Sequence, residues 1–174
     1  MMGRTHALFG VSSLWLFTLI PIESQSVNFG VLAVCAAFGA LVPDLDAGES
    51  LLKHGSIAGV KPLILPSLLL HRDLGHRGLL HSLAGWSLFV GLTLPSVFGW
   101  DWQLWMAMGL GYGSHLIADS CTRSGIRLLY PKPRHYHLLP KGWRFVTGSM
   151  AEEVLFPLLA IAVLLLMLLH LPLS

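Results

Sequence analysis

Charge is scarce in this sequence. Asp, Glu, Lys and Arg make up 11% of the 174 residues, against about 25% in an ordinary soluble domain. That shortage argues against a soluble globular chain. The formal net charge is only +2. Nucleic acid is therefore not expected as a partner, because a phosphate backbone calls for a dense basic surface. Cysteine is nearly missing as well. Cys35 and Cys121 build neither a disulfide framework nor a CxxC thiolate pair, and both are expected as free thiols. No HExxH motif occurs, which sets aside the zincin type of membrane protease. No internal repeat or low-complexity tract is visible.

What is present is apolar. Hydrophobic residues account for 54% of the chain and the mean hydropathy is +0.68. A bilayer core takes about 20 apolar residues per helix. Five segments approach that length: 7–22, 27–43, 79–98, 102–118 and 154–173. The first has the charged flank of a signal peptide, but SQS at 24–26 is a poor cleavage site, so it is expected to stay. The fold class expected is all-α: a polytopic membrane bundle of about five helices, with residues 1–174 as a single domain. Pro62 and Pro66 break the apolar run around 60–70. That run is too short to span and reads as a re-entrant or interfacial segment.

The basic residues fit this count. Arg4 precedes the first segment. Lys53, Lys61, Arg72 and Arg77 lie between the second and third, and the remaining six lie in 119–153, so all 11 fall on one side. The positive-inside rule makes that side cytoplasmic, with the N-terminus inside. The expected location is thus a bacterial inner membrane, multi-pass, in contact with the lipid bilayer. Trp100, Trp102 and Trp105 read as an aromatic belt on the opposite side. Gly109 and Gly113 form a GxxxG spacing that lets another helix approach, with Gly39 and Gly85 as further candidates.

Histidines and carboxylates gather at the same helix ends as the basic residues. His6 precedes the first segment, Asp44 and Asp46 follow the second, His76 and His81 flank the start of the third, His115 and Asp119 close the fourth, and Glu152 and Glu153 open the last. His115 and Asp119 are four apart, hence on one helical face. His76 and His81 suit one ligand on a loop and one on a first helical turn. Imidazoles and carboxylates are ligands for zinc first, then manganese or iron(II). Seven or eight of them exceed one tetrahedral site and point to two or more divalent metal ions. His54, His71, His135 and His137 sit in loops and read as solvated, and His170 as interfacial.

Several motifs together resemble a bacterial inner-membrane family of metal-dependent hydrolases, LexA-regulated and YdjM-like. They are THALFG at 5–10, PDLD at 43–46, HRGLLHS at 76–82, GYGSHLIADSCTRSGIRLLYP at 111–131 and TGSMAE at 147–152. Leu80 stands where that family usually has Thr, at a position that is not a ligand type. The resemblance implies a membrane-bound metal hydrolase with His6, Asp44, Asp46, His76, His81, His115 and Asp119 in the metal site, and Glu152 less directly. The H-x-x-x-D element is also similar to one in zinc-dependent phospholipase C, which suggests phosphoester chemistry.

The expected function is hydrolysis of a phosphoester or related ester of an amphiphilic, lipid-like substrate at the cytoplasmic membrane face. In that reading Asp46 or Glu152 bridges metals or acts as general base, and Arg77 steadies the substrate's anionic group. Two alternatives use the same residues. An ion or proton transporter needs polar groups through the full membrane depth, and the outer halves of these segments have almost none. A non-catalytic metal-binding scaffold needs no open coordination position. No oligomeric state follows from the sequence.

Overall fold

The structure, a computed structural model, describes residues 1–19, 27–46, 78–99 and 101–169. The regular elements among the described residues are helical, with no strand, only two isolated bridges, and residues 121–149 form a mostly irregular loop. Helix α1 spans Gly3–Ser12 and runs on into a 3-10 helix at Ser13–Leu19. Helix α2 spans Phe29–Leu41 and is followed by a 3-10 turn at Pro43–Asp46. A 3-10 turn at Leu79–His81 leads into α3, Leu83–Leu92. Helix α4 covers Trp102–Ser120 and α5 covers Met150–Leu169.

Local chemistry sets the helix starts. Asn28, Ser82 and Asp101 each stand at an N-cap and accept a hydrogen bond from a backbone N–H two or three residues on, at 2.8, 3.2 and 2.8 Å. Such caps satisfy donors that the first turn leaves orphaned. The segment expected as one span at 79–98 is divided. Ser82 starts α3, the helix stops at Leu92, and Pro95 opens a separate turn at Pro95–Phe98, because proline cannot donate into the preceding helix. Similarly, α1 starts earlier than the apolar run at 7–22. His6 therefore lies inside a helix rather than before one.

Among the described residues one helix, α5, is long and apolar enough to cross a bilayer, with 20 residues at a mean hydropathy of 2.4. Helices α2 and α3 are apolar but shorter. The proline-broken run at 60–70, Trp100 and His170 lie outside the described residues.

The centre of the molecule is the crossing of α2 and α4. A Cβ on Gly39 would fall 2.1 Å from the Met108 carbonyl oxygen, and one on Gly111 would fall 2.0 Å from that of Ala36. The two backbones therefore touch, as small residues permit in apolar bundles. Helix α1 packs on the same face of α2, where a Cβ on Gly10 would lie 2.7 Å from the Ala36 carbonyl oxygen. The expected Gly109 and Gly113 pair does not make this crossing. Those residues meet Val90 and Trp86 of α3 at ordinary contact distance. Trp86 Nε1 donates to the Gly109 carbonyl at 2.9 Å, and Trp105 Nε1 to that of Val90 at 2.9 Å. Trp105 thus ties α3 to α4. Val11, Leu14, Leu32, Ala36, Ala107 and Leu166 form the apolar core around these crossings.

Candidate metal centre

The tight helix crossing brings four chain segments to one point. His6 rides on α1, Asp44 on the turn after α2, His81 on the turn before α3, and His115 and Asp119 on α4. Each mount is fixed separately. The buried Tyr112 hydroxyl donates to the Leu80 carbonyl at 2.6 Å, which holds the turn carrying His81. Leu83 N–H bonds the Leu128 carbonyl at 2.9 Å and anchors the same turn from the other side. Thr122 Oγ1 donates to the Asp119 carbonyl at 2.7 Å and closes the end of α4.

The side chains converge as follows. His115 Nδ1 lies 2.8 Å from the Ala40 carbonyl oxygen. A carbonyl only accepts, so Nδ1 carries the proton and Nε2 is left with its lone pair. His115 Nε2 stands 3.3 Å from His81 Nε2. Asp44 Oδ1 lies 3.6 Å from His81 Nε2 and 3.8 Å from His115 Nε2. Asp119 Oδ2 lies 3.8 Å from each of the same two nitrogens. Its other oxygen, Oδ1, faces His6 Nε2 at 3.2 Å and the Met1 amino group at 2.9 Å. The His6 ring stacks on the His115 ring, with centroids 3.8 Å apart.

Two groups of potential ligands result, His6 with His115 and Asp119, and Asp44 with His81 and His115; within each group the ligand atoms all lie within 4.8 Å of one another. His6, His81, His115 and Asp119 are buried. Asp44 is different: its side chain is 21% exposed and forms the open edge. Burial pushes the Asp44 carboxyl up, but its contacts with the surrounding imidazoles, that with His81 foremost, outweigh it and hold the group below its usual range.

This donor set fits a divalent ion. Tetrahedral zinc with nitrogen ligands at about 2.0–2.1 Å puts neighbouring donors about 3.3–3.4 Å apart. The His81–His115 separation matches that edge and is long for a hydrogen bond. His6 Nε2 faces Asp119, but its Nδ1 makes no hydrogen bond among the described residues, although the ring is buried. Buried polar atoms without partners are rare unless something else satisfies them.

The structure brings His6, Asp44, His81, His115 and Asp119 together, with His115 and Asp119 four apart on α4. Glu152 is placed differently. Its Oε1 accepts from Met2 N–H at 2.6 Å and its Oε2 from Gly148 N–H at 2.8 Å. Both oxygens are occupied by backbone amides, so Glu152 clamps α1 to the start of α5 instead of bridging metals or acting as base. Glu153 pairs with Arg4 at the same junction. His76 and Arg77 lie outside the described residues, and of Asp46 only the backbone is described, at the end of its 3-10 turn. Sequence reasoning missed the two-sided role of Asp119, whose oxygens face different histidines. It also missed Tyr112 and Ala40, which hold ligands in place without being ligand types.

The family described as YdjM inner membrane protein matches residues 1–172. The uncharacterized protein YvsG of Bacillus subtilis is 30% identical over 166 residues, which cover 93% of this chain and 91% of that protein. The inner membrane protein YdjM of Escherichia coli is 33% identical over 116 residues, 65% of this chain and 55% of that protein. The YdjM of Shigella flexneri matches to the same extent. The chain thus spans about half the length of those two relatives. No solved structure matches.

Proposed function

The chain belongs to the YdjM inner membrane protein family, and from that premise we propose that it is a metal-dependent hydrolase of phosphoesters or related esters of amphiphilic substrates, embedded in the membrane by several helices. The observation that carries this reading is the approach of His115 Nε2 to His81 Nε2 at 3.3 Å with His115 Nδ1 already committed to Ala40. Imidazole lone pairs aimed at one point, ringed by two carboxylates, are ligands more readily than hydrogen-bond partners.

The residues would divide between two ions: His115, His81, Asp44 and Asp119 would hold one, and Asp119 with His6 would hold a second. Asp119 would then take the shared role that the sequence suggested for Asp46 or Glu152. His76 and Asp46 remain proposed additional ligands, and Arg77 a group for the substrate's anion. Divalent ions held here supply Lewis acidity, acidifying water and neutralising phosphoryl charge. The chain's own part is to hold the imidazoles in place, with the His115 tautomer set by the Ala40 carbonyl, to bury His6, His81, His115 and Asp119, and to leave Asp44 at the more exposed edge. That opening favours a hydrolase over a metal-binding scaffold, since a structural zinc site is closed. The grouping of all 11 basic residues with the ligand-bearing ends supports a cytoplasmic site.

The test is metal analysis of detergent-purified protein by mass spectrometry, followed by a screen against phosphoester and carboxylester lipids. Stoichiometric zinc or manganese with phosphoester turnover, both lost in the His115→Ala, Asp119→Ala double variant, is the expected result. Protein that refolds and loads no divalent metal would remove the enzyme reading. Full loading without hydrolysis of any ester would leave the scaffold.

A further inference from the structure

An apolar cleft of about 490 Å³ lies on the opposite side of α4 from the metal centre. Leu83 and Trp86 of α3, Leu116 and Ile117 of α4, and Leu128 and Leu138 of the following loop form its walls. The α4 positions are set by helical geometry. His115 and Asp119 face α1 and α2, whereas Gly113, Leu116, Ile117 and Ser120 face the cleft. Its volume falls in the range of small-molecule pockets, about 300–1,000 Å³. Its lining contains no Asp, Glu, Lys or Arg side chain.

Two further features identify an occupant. First, the cleft is continuous with apolar surface that faces outward: Ile117 is 52% and Leu138 65% exposed. Second, the loop that forms one wall is basic. Arg127 lies between the lining residues Ile126 and Leu128 and is exposed, and its Nε approaches His135 at 3.3 Å. Arg134 stands over the ring of Tyr136, another lining residue, at 5.5 Å. An apolar slot walled on one side by a basic loop, in a family of inner membrane proteins, matches an amphiphile with an anionic head. We propose that this cleft is a binding site for an anionic phospholipid, with an acyl chain between α3 and α4 and the phosphate held by Arg127 and Arg134. The site stands whether or not the metal centre hydrolyses anything, because α4 separates the two.

The test is native mass spectrometry of the full chain in mild detergent, titrated in parallel with phosphatidylglycerol and phosphatidylcholine. Phosphatidylglycerol should give one saturable adduct at about tenfold lower concentration than phosphatidylcholine. Gly113→Leu puts a side chain into the cleft, where a Cβ meets only the edge of Trp86 at 3.6 Å, and should weaken the adduct by about tenfold or more. Leu138→Asp, on the exposed wall, should act in the same direction if Gly113→Leu does not fold. Arg127→Glu with Arg134→Glu should abolish the preference for phosphatidylglycerol. All these variants should keep the metal content of the wild type, which separates this site from the metal centre. Equal binding of the two lipids would overturn the headgroup assignment. Unchanged binding in a folded cleft variant would overturn the cleft. The absence of any lipid adduct, as when the cleft receives a segment of this same chain, would overturn the proposal altogether.

Discussion

Helices α4 and α5 have nearly equal lengths, 19 and 20 residues, and opposite constructions. In α4, eleven residues are buried, and they include Gln103, Ser114, His115 and Asp119. In α5, only Glu152 and Leu166 are buried, while Val154, Leu158, Ile161, Leu164, Leu165, Leu168 and Leu169 are exposed. The more apolar helix is on the outside and the more polar one is at the centre. Water-soluble proteins arrange burial the other way. In a bilayer lipid solvates apolar side chains as well as a protein core does, so burial is left to small residues that pack closely and to polar groups that need one another. The difference between the helices separates the surface that meets the surroundings from the interior that holds the polar cluster.

The sharpest way to break that contrast is at Asp119. If its two oxygens serve two ions, Asp119→Ala should empty the centre, while His6→Ala should lose one ion and keep the other. Metal-to-protein ratios by mass spectrometry should read about two in the wild type, about one in His6→Ala, and near zero in Asp119→Ala. Activity should fall by at least a hundredfold in Asp119→Ala. A ratio of one in Asp119→Ala would mean that its carboxylate does not bridge.

The outside helix is tested by the reverse substitution. Ile161 sits near the middle of α5 and is 55% exposed. A lysine there should disfavour membrane insertion of α5 by about 3 kcal/mol, seen as loss from the membrane fraction or glycosylation-mapped misinsertion. Ile161→Ala should change thermal stability in detergent by less than about 0.5 kcal/mol. A large effect of the alanine would mean that α5 is covered by protein. At the α2–α4 crossing, by contrast, even one methyl group matters. Gly111→Ala places a Cβ 2.0 Å from a backbone oxygen and should destabilise by about 1–3 kcal/mol or more, measured as a lowered melting temperature in detergent. The neighbouring Gly113→Ala should be nearly neutral, since its Cβ has room.

That last pair also marks where the sequence was legible. His115 and Asp119 could be read as one face because spacing within a helix is local geometry. The grouping of His6, Asp44 and His81 with them followed from charge topology, which acts on loops and not on tertiary contacts. The choice of crossing glycine did not follow. GxxxG spacing identifies a small-residue face, but α4 has one such face toward α3 at Gly109 and Gly113 and a tighter approach to α2 at Gly111. Only the placement of the neighbours decides between them. Glu152 failed for a related reason. A carboxylate in a first helical turn reads alike whether it meets a metal or, as here, the amides of Met2 and Gly148.

The smallest effect probes how the interior supports its ligands. Tyr112→Phe removes the hydroxyl that donates to the Leu80 carbonyl at 2.6 Å and keeps the ring, which packs against Phe89 with centroids 5.1 Å apart. One neutral hydrogen bond contributes about 1 kcal/mol to stability, so the melting temperature should fall only slightly. Metal affinity should respond more. The freed turn carries His81, and support of this kind is worth about 10–100-fold in metal binding when removed. Competition with a chelator of graded strength should therefore show the loss, at unchanged stoichiometry, in Tyr112→Phe and not in Trp86→Phe, which removes a comparable buried hydrogen bond to the Gly109 carbonyl on the far face of α4. Equal weakening by both would mean that the centre senses general packing of α4 rather than the position of the His81 turn.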